Sequence, residues 1–374
     1  MDEPSAQLAS DLRSATVQAL STRRPLIHHL SADTAWLLQI PRPSTATKRG
    51  GRFYFNLLID PWLSGDQVDI FKWVSRQWHA EEPKFGSIAA VEELLREIEI
   101  LTVGLRSGKG RRSTLDELEE HGEIETFIDA VAICHEFTDH CHQQTLLQVN
   151  PDVPVFATEK AASLIRSWSH FRVVETVPRF TADNLDWHST SISPLPEWIG
   201  ISRFMSHLDP STLHSGLLIT FNNNPHNPTN PSDGEEAAEA IIYTPHGIYD
   251  HELSLIPTAS PPIRTLALLH GLQEVYIGRF GSQINLGAYN GLKAQRILNA
   301  KYWIGTHDEV KHGAGIVGWL LRRNYLTVKD ALEAERERKK KQGKNEVDGN
   351  DEVLDSFRDA HWVDLKNGES RVLI

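Results

Sequence analysis

Two rhythms of apolar and polar positions alternate along this chain. Short runs rich in β-branched and aromatic residues, closed off by turn formers, predict strands in LIHHLSADTAWLLQI, RFYFNLLID, FIDAVAIC, PVFA and FRVVETV. The second half repeats the style in WIGISRFM, SGLLITF, EAIIYTP, TLALLHG and KYWIGTHDE. Apolar residues at helical spacing predict helices in SIAAVEELLREIEIL, KAASLIRSW (with Thr158 as its cap), LGAYNGLKAQRILNA and AGIVGWLLRR. LDELEEHGEIETF predicts a charged, exposed helix. FIDAVAIC, residues 127 to 134, is broken only by Asp129 and suits a strand covered on both faces. Strands and helices alternating in two halves predict an α/β layered fold, with ligands at strand ends. No repeat of 20 to 50 residues is present.

Breakers and charge divide the chain. Residues 1–24 are polar and weakly patterned, which predicts a flexible N-terminal segment or one loose helix. A main domain is expected over 25–325, interrupted at 222–236 by the Asn/Pro-rich run NNNPHNPTNPSDGEE, expected to be a mobile insertion. Thr327 and Asp330 form a capping box that opens a charged helix, running into a linker over 326–352. Glu335/Lys339 and Glu337/Lys341 stand at the favourable i,i+4 spacing. The last stretch, 353–374, predicts a hairpin turning at Asn367-Gly368 and packing on the domain.

Composition narrows the class. The 374 residues are 40% hydrophobic and 24% charged, as in ordinary soluble globular proteins. A net charge of -12 lacks the basic face that nucleic acid or anionic lipid needs. No apolar run reaches 18 residues, and the N-terminus has no apolar signal core. Asp2, Glu3 and Asp11 are wrong for a mitochondrial transit peptide. A cytoplasmic location is expected, with the nucleus also compatible. The two cysteines, Cys134 and Cys141, form no disulfide framework and are expected to be reduced thiols. GLRSGKGRRST does not match the spacing of a phosphate-binding loop.

The chemistry is concentrated in CHEFTDHCH, residues 134 to 142, where three of 18 histidines fall within nine positions. Imidazole and carboxylate are the usual ligands of zinc, and of iron or manganese with different geometry. A loop leaving a buried strand can turn His135, Asp139 and His140 toward one point. A capped helix N-terminus, with Thr138 or Asp139 as cap, would use the same residue types.

In context the run H-x-F-T-D-H resembles the HxHxDH signature of the metallo-β-lactamase-fold superfamily. LLIDPWLSG resembles that superfamily's strand and IDP turn, and HHLSADTAWLL its histidine-containing N-terminal strand, closest to the lactonase-like hydrolases. The resemblance spans residues 25 to 325 and implies a four-layer αββα sandwich. It implies His135 as a ligand of one metal, and Asp139 and His140 as ligands of another. It further implies His307 as the last histidine, with His214 or His207 as the third; His214 directly precedes a strand and is preferred. Asp60 corresponds to the aspartate beneath the metal site, where it would orient a ligand or simply make the turn.

Two positions depart from the pattern. Phe137 stands where a second histidine is expected, and His246 where a bridging aspartate is expected. Phenyl carbon donates nothing to a metal, so the resemblance then implies a mononuclear set of Asp139, His140, His246 and His307. The cofactor implied is zinc, with iron or manganese as alternatives. The activity implied is hydrolysis of a lactone, ester, amide or phosphoester by metal-bound hydroxide, with Asp139 assisting proton transfer or fixing the metal. A small-molecule substrate is expected, without nucleic-acid or membrane partners. Two other readings are a catalytically degenerate binding protein on the same fold and an iron-dependent oxidoreductase.

Overall fold

The computed structural model describes the chain apart from residues 1–2, 32, 45, 47–50, 70, 72, 109–124, 206–208, 210–211, 224–235, 279–281 and 342–359. A seven-stranded sheet runs, edge to edge, through Ser370–Val372, Leu26–His29, Trp36–Pro41, Tyr54–Ile59, Ala130–Ile133, Val155–Ala157 and Val174–Thr176. The strands from Tyr54–Ile59 onward are parallel, and the others antiparallel. A second, six-stranded sheet runs through Trp362–Val363, Tyr302–Ile304, Ile263–His270, Ala238–Thr244, Ser215–Phe221 and Ile199–Met205.

Period-two alternation builds the layers. Leu57 and Ile59 point inward with Trp36, Leu38 and Ala132, meeting Ile201, Leu217, Ile219, Tyr243 and Leu269 of the second sheet. Leu58, one position over, faces outward with Leu37, Val131 and Ile133. There the Ile88–Ser107 helix covers them with Val91, Leu95 and Ile98, and the Glu159–Ser167 helix adds Ala161, Ala162 and Ile165. On the second sheet, Leu218, Ile242, Leu268 and Trp303 are covered by Leu292 of the Gly287–Leu298 helix and Leu332 of the Val328–Lys341 helix. Each fully buried Leu or Ile contributes roughly 1.5–3 kcal/mol, so the register of both faces is tightly specified. Helix, sheet, sheet and helix follow in order: the αββα sandwich of the metallo-β-lactamase type.

Of the two expectations for the N-terminus, a single helix is present, Glu3–Thr22, with Ala15 and Ala19 packed against Leu26 and Val372. Several other local expectations need correction. Asn367-Gly368 does turn the chain, with Gly368 at φ 85°. No hairpin results, because Trp362–Val363 pairs with Tyr302–Ile304 in one sheet and Ser370–Val372 with Leu26–His29 in the other. Each strand fills an open sheet edge, so the C-terminus ties the two halves together. AGIVGWLLRR gives a five-residue helix, Ile316–Leu320, followed by the strand Leu321–Asn324. His312 lies on the strand Lys311–Ala314. Thr158 does precede its helix, but its hydroxyl donates to the Cys134 carbonyl at 3.0 Å instead of capping. The capping box holds: the Asp330 carboxylate accepts from Thr327 N at 2.7 Å. Most of the 222–236 insertion, residues 115–124 of the charged helix, and the linker beyond 341 lie outside the described residues. No helix among the described residues is long and apolar enough to cross a membrane.

Two three-stranded sheets stand apart from the sandwich. One orders Ser282–Leu286, Glu274–Ile277 and Leu321–Asn324; the other orders Lys311–Ala314, Ser75–His79 and Gln67–Asp69. Both contribute side chains to a cavity beside the strand ends described next.

Candidate metal centre

Parallel strands deliver their C-terminal ends to one edge of the sandwich, where ligands of α/β proteins gather. Asp60 follows Tyr54–Ile59, His135 to His140 follow Ala130–Ile133, His246 follows Ala238–Thr244, and His307 follows Tyr302–Ile304. Asp33 joins them from the turn between Leu26–His29 and Trp36–Pro41. Gly247, at φ 86°, turns the chain away directly after His246; a Cβ there would come within 2.7 Å of Leu286. Asp60 and His307 take φ of 40° and 61°, a left-handed conformation costing about 1–3 kcal/mol in a non-glycine residue. The surrounding fold imposes that conformation on both.

Three imidazoles converge. Nε2 of His140 lies 3.1 Å from Nε2 of His246. Ligand atoms of His140, His246 and His307 all lie within 4.8 Å of one another, and all three residues are buried. The Asp139 carboxylate stands 3.8 Å from Nε2 of His140 and 3.8 Å from Nε2 of His307. Behind each ring an oxygen accepts from Nδ1: Asp60 at 2.6 Å for His140, Asn285 at 2.9 Å for His246, and Asp33 at 3.0 Å for His307. Asp60 also accepts from the Cys134 backbone N–H at 2.7 Å, fixing its carboxylate in the turn and under the ligand at once. Thr34 Oγ1 donates to the Asp139 carbonyl at 2.5 Å.

Oxygens that accept from Nδ1–H leave Nε2 as a bare lone pair on every ring. Two such lone pairs 3.1 Å apart repel unless a proton or a cation lies between them. Nitrogens each about 2.1 Å from a tetrahedral zinc stand roughly 3.4 Å apart, close to the separation seen. The three imidazoles therefore suit a divalent cation, with the Asp139 carboxylate beside two of them.

Burial, followed by the neighbouring histidines, pushes His246 and His135 well below the ordinary imidazole range. Burial also lowers His307, partly offset by Asp33. At His140 burial is outweighed by Asp139 and Asp60, which together raise it. Burial would raise Asp139, but His140, Lys311 and His307 bring it down to about 2. Asp60 is raised by burial against the pull of His140. The cluster thus presents an ionised Asp139 with neutral rings at His246 and His307.

The remaining expected ligands are placed differently. The His135 ring centroid is 4.9 Å from that of His246 and 5.1 Å from that of His140, yet neither nitrogen of His135 has a hydrogen-bond partner. It borders the convergence without joining the mutually close atoms. His214 does not join either: its Nδ1 faces the His246 carbonyl at 3.3 Å and its ring meets the edge of Tyr249. His207 lies outside the described residues. Phe137 packs edge-on to His246, centroids 6.2 Å apart, and lines the cavity. Cys134 and Cys141 are buried among core side chains as free thiols. His142 is buried beside Thr145, while Glu136 pairs with Lys160 at 3.4 Å.

A cavity of about 300 Å³ opens over the cluster, with Phe137, Asp139, His246 and His307 toward the ligands. Val275, Ile277, Ile284, Val317 and Leu321 make its apolar wall, and Lys311 and Arg323 also line it. A larger cavity of about 570 Å³ around Ile263, Arg264 and Lys301 contains one histidine, His361, whose Nδ1 lies 2.9 Å from the Ala300 carbonyl. Among the described residues no group of mutually close ligating side chains lines it, whereas the smaller cavity borders such a group. Asp33, Asn285 and Lys311 escape sequence reasoning. Only Asp33, inside the quoted HHLSADTAWLL, carried any signal there.

No family model and no curated protein matches this sequence. Among solved structures, it is similar to an isothiocyanate hydrolase from Delia radicum gut bacteria, at 14% identity and a TM-score of 0.47, covering 92% of this chain and 98% of that one. A possible metal-dependent hydrolase from Veillonella parvula gives 11% identity and a TM-score of 0.49, covering 94% and 100%. Zn(2+)-bound PqqB from Methylobacterium extorquens gives 10% identity and a TM-score of 0.39, covering 92% and 99%. At that degree of likeness the weight rests on the chain's own topology and side-chain geometry. Two facing sheets flanked by helices, with histidines and aspartates at the strand ends, make this a chain of the metallo-β-lactamase fold.

Proposed function

We propose that this chain is a metal-dependent hydrolase that holds one divalent cation with His140, His246, His307 and Asp139. The observation that carries the reading is three buried imidazoles with ligand atoms within 4.8 Å of one another while a side-chain oxygen stands behind each Nδ1. Zinc is the proposed ion. Bound there, it would supply Lewis acidity toward a carbonyl or phosphoryl oxygen and make water markedly more acidic.

The chain's own residues divide the other tasks. Asp139, with its pKa near 2, is a poor proton acceptor at neutral pH and serves as ligand and hydrogen-bond acceptor. Asp60, Asn285 and Asp33 hold the rings in one tautomer, so no reorientation is needed when substrate arrives. Phe137 and the aliphatic wall exclude water and receive the apolar part of a substrate. A cavity of about 300 Å³ and a net charge of -12 favour a small lactone, ester, amide or phosphoester over nucleic acid. Two free buried cysteines favour a reducing compartment such as the cytoplasm.

Phe137 also supports a second reading, a fold relative that binds a ligand without turnover. Metal analysis of protein produced with zinc, iron and manganese, alongside His140→Ala, tests the first reading. One equivalent in the parent and a large loss in the variant are expected; a metal-free parent refutes it. A metal-loaded parent that turns over no member of an ester, lactone, amide and phosphoester panel leaves the binding reading in its place.

A further inference from the structure

Lys311 occupies a position where lysine is seldom found. Its side chain is only 6% exposed, and Nζ lies 2.6 Å from Asp33 Oδ2 and 3.7 Å from Asp139 Oδ2. The same nitrogen is 3.2 Å from Nδ1 of His307 and sits over the Trp62 ring, 5.5 Å from its centroid. Ammonium and imidazole N–H both donate into Asp33, one to each oxygen. Asp33, Asp139 and His307 also form a second group whose ligating atoms lie within 4.8 Å of one another, sharing His307 with the first. Nζ stands among them.

We propose that the Lys311 ammonium is a tethered cation occupying the place of a second metal ion, which limits the centre to one divalent ion per chain. The inference rests on the reading that His140, His246, His307 and Asp139 bind a metal. Two buried carboxylates side by side demand positive charge, and the ammonium supplies one unit of it without solvent exchange. A second dication at Asp33 would have to displace Nζ, which already holds Oδ2 at 2.6 Å and adds its repulsion to that of the first ion. The lysine cannot drift far: the Lys311–Ala314 strand pairs in register with Ser75–His79, Lys311 opposite His79. On the other side of the cluster Phe137 presents carbon, and among the described residues His135 belongs to no group of mutually close ligating atoms. Ammonium closes one side and a phenyl ring the other.

Cobalt(II) titration of the purified, metal-stripped full chain, read by visible absorbance and confirmed by elemental analysis, tests this. The parent should saturate at one equivalent even in tenfold excess. Lys311→Ala should take a second equivalent, Lys311→Ala/Asp33→Asn should return to one, and Lys311→Arg should stay at one. A folded Lys311→Ala variant that still stops at one equivalent overturns the proposal, and so does a parent or Lys311→Arg variant that takes two. Should Lys311→Ala fail to fold, the parent and the arginine variant still decide. A parent that takes no cobalt overturns the metal reading and this inference together, whereas one equivalent in both parent and Lys311→Ala overturns this inference alone.

Discussion

Replacing Asp60 by asparagine isolates the orientation of one ligand from the stability of the fold. Asp60 sits at φ 40°, where asparagine is among the few residues that fit without added strain. Its Oδ1 can go on accepting from the Cys134 N–H, now at 2.7 Å. The other arm changes: an amide N–H₂ would face Nδ1 of His140 across the present 2.6 Å contact, donor against donor. His140 escapes by moving its proton to Nε2, where it can donate to Nε2 of His246 at 3.1 Å. The metal-free variant is then fully hydrogen-bonded and should melt near the parent. A proton now stands where the cation would, and binding must displace it and turn the ring against the amide. Losing the partner behind a ligating histidine costs about 10–100-fold in metal affinity, roughly 1.4–2.8 kcal/mol. Chelator competition with zinc measures the affinity, and melts with and without saturating zinc measure the linkage. Asp60→Ala is the contrasting variant, leaving Cys134 N–H and Nδ1 of His140 buried and unpaired at about 1–3 kcal/mol each. Parent-like zinc affinity in Asp60→Asn would refute the tautomer argument.

Among the other predictions, His246→Ala should lose tight metal binding by at least 100-fold, roughly 2.8 kcal/mol, while His214→Ala keeps it. Equilibrium dialysis of both decides whether His214 is a ligand after all. Glu99, buried on the Ile88–Ser107 helix, accepts from Phe53 N at 3.0 Å, and burial raises its pKa from 4.5 to about 7. The folded chain therefore binds more protons than the unfolded one between these values, so stability falls as pH rises through that window, by about 3 kcal/mol. Glu99→Gln should flatten that fall and melt above the parent at pH 8, as scanning calorimetry at pH 5 and pH 8 would show. Leu321→Trp should crowd the 300 Å³ cavity and raise KM at least tenfold, roughly 1.4 kcal/mol, with metal content unchanged in elemental analysis.

The parts of this architecture that could be seen in the sequence are those a residue type announces by itself. Alternation in FYFNLLID and SGLLITF specifies two-faced burial because either face of each sheet meets apolar neighbours. His140, His246 and His307 stood out because imidazoles at the ends of such strands have few other uses. The N-terminal helix was harder to see because its buried side at Ala15 and Ala19 is small, leaving little contrast between its faces. The C-terminal turn misled in another way. Asn-Gly reports a local reversal but says nothing of which sheet edges remain open 60 or 340 residues away.

The same distinction runs through the candidate centre. A ligand must be imidazole, carboxylate or thiolate, whereas the group that holds it in place need only offer an oxygen. Asp60, Asn285 and Asp33 satisfy that single requirement with two residue types, and Asp33 lies 274 positions from the ring it serves. Lys311 is harder still, since its meaning depends on two carboxylates that the fold alone brings together. His135 and His214 show the converse: ligand-type side chains at plausible positions, one left without a hydrogen-bond partner and the other turned to a backbone carbonyl. On the proposed reading, which histidines serve as ligands depends less on the motif than on whether an acceptor stands behind Nδ1. Of the five histidines in question, the three with a side-chain oxygen at Nδ1 are the three whose ligand atoms lie within 4.8 Å of one another.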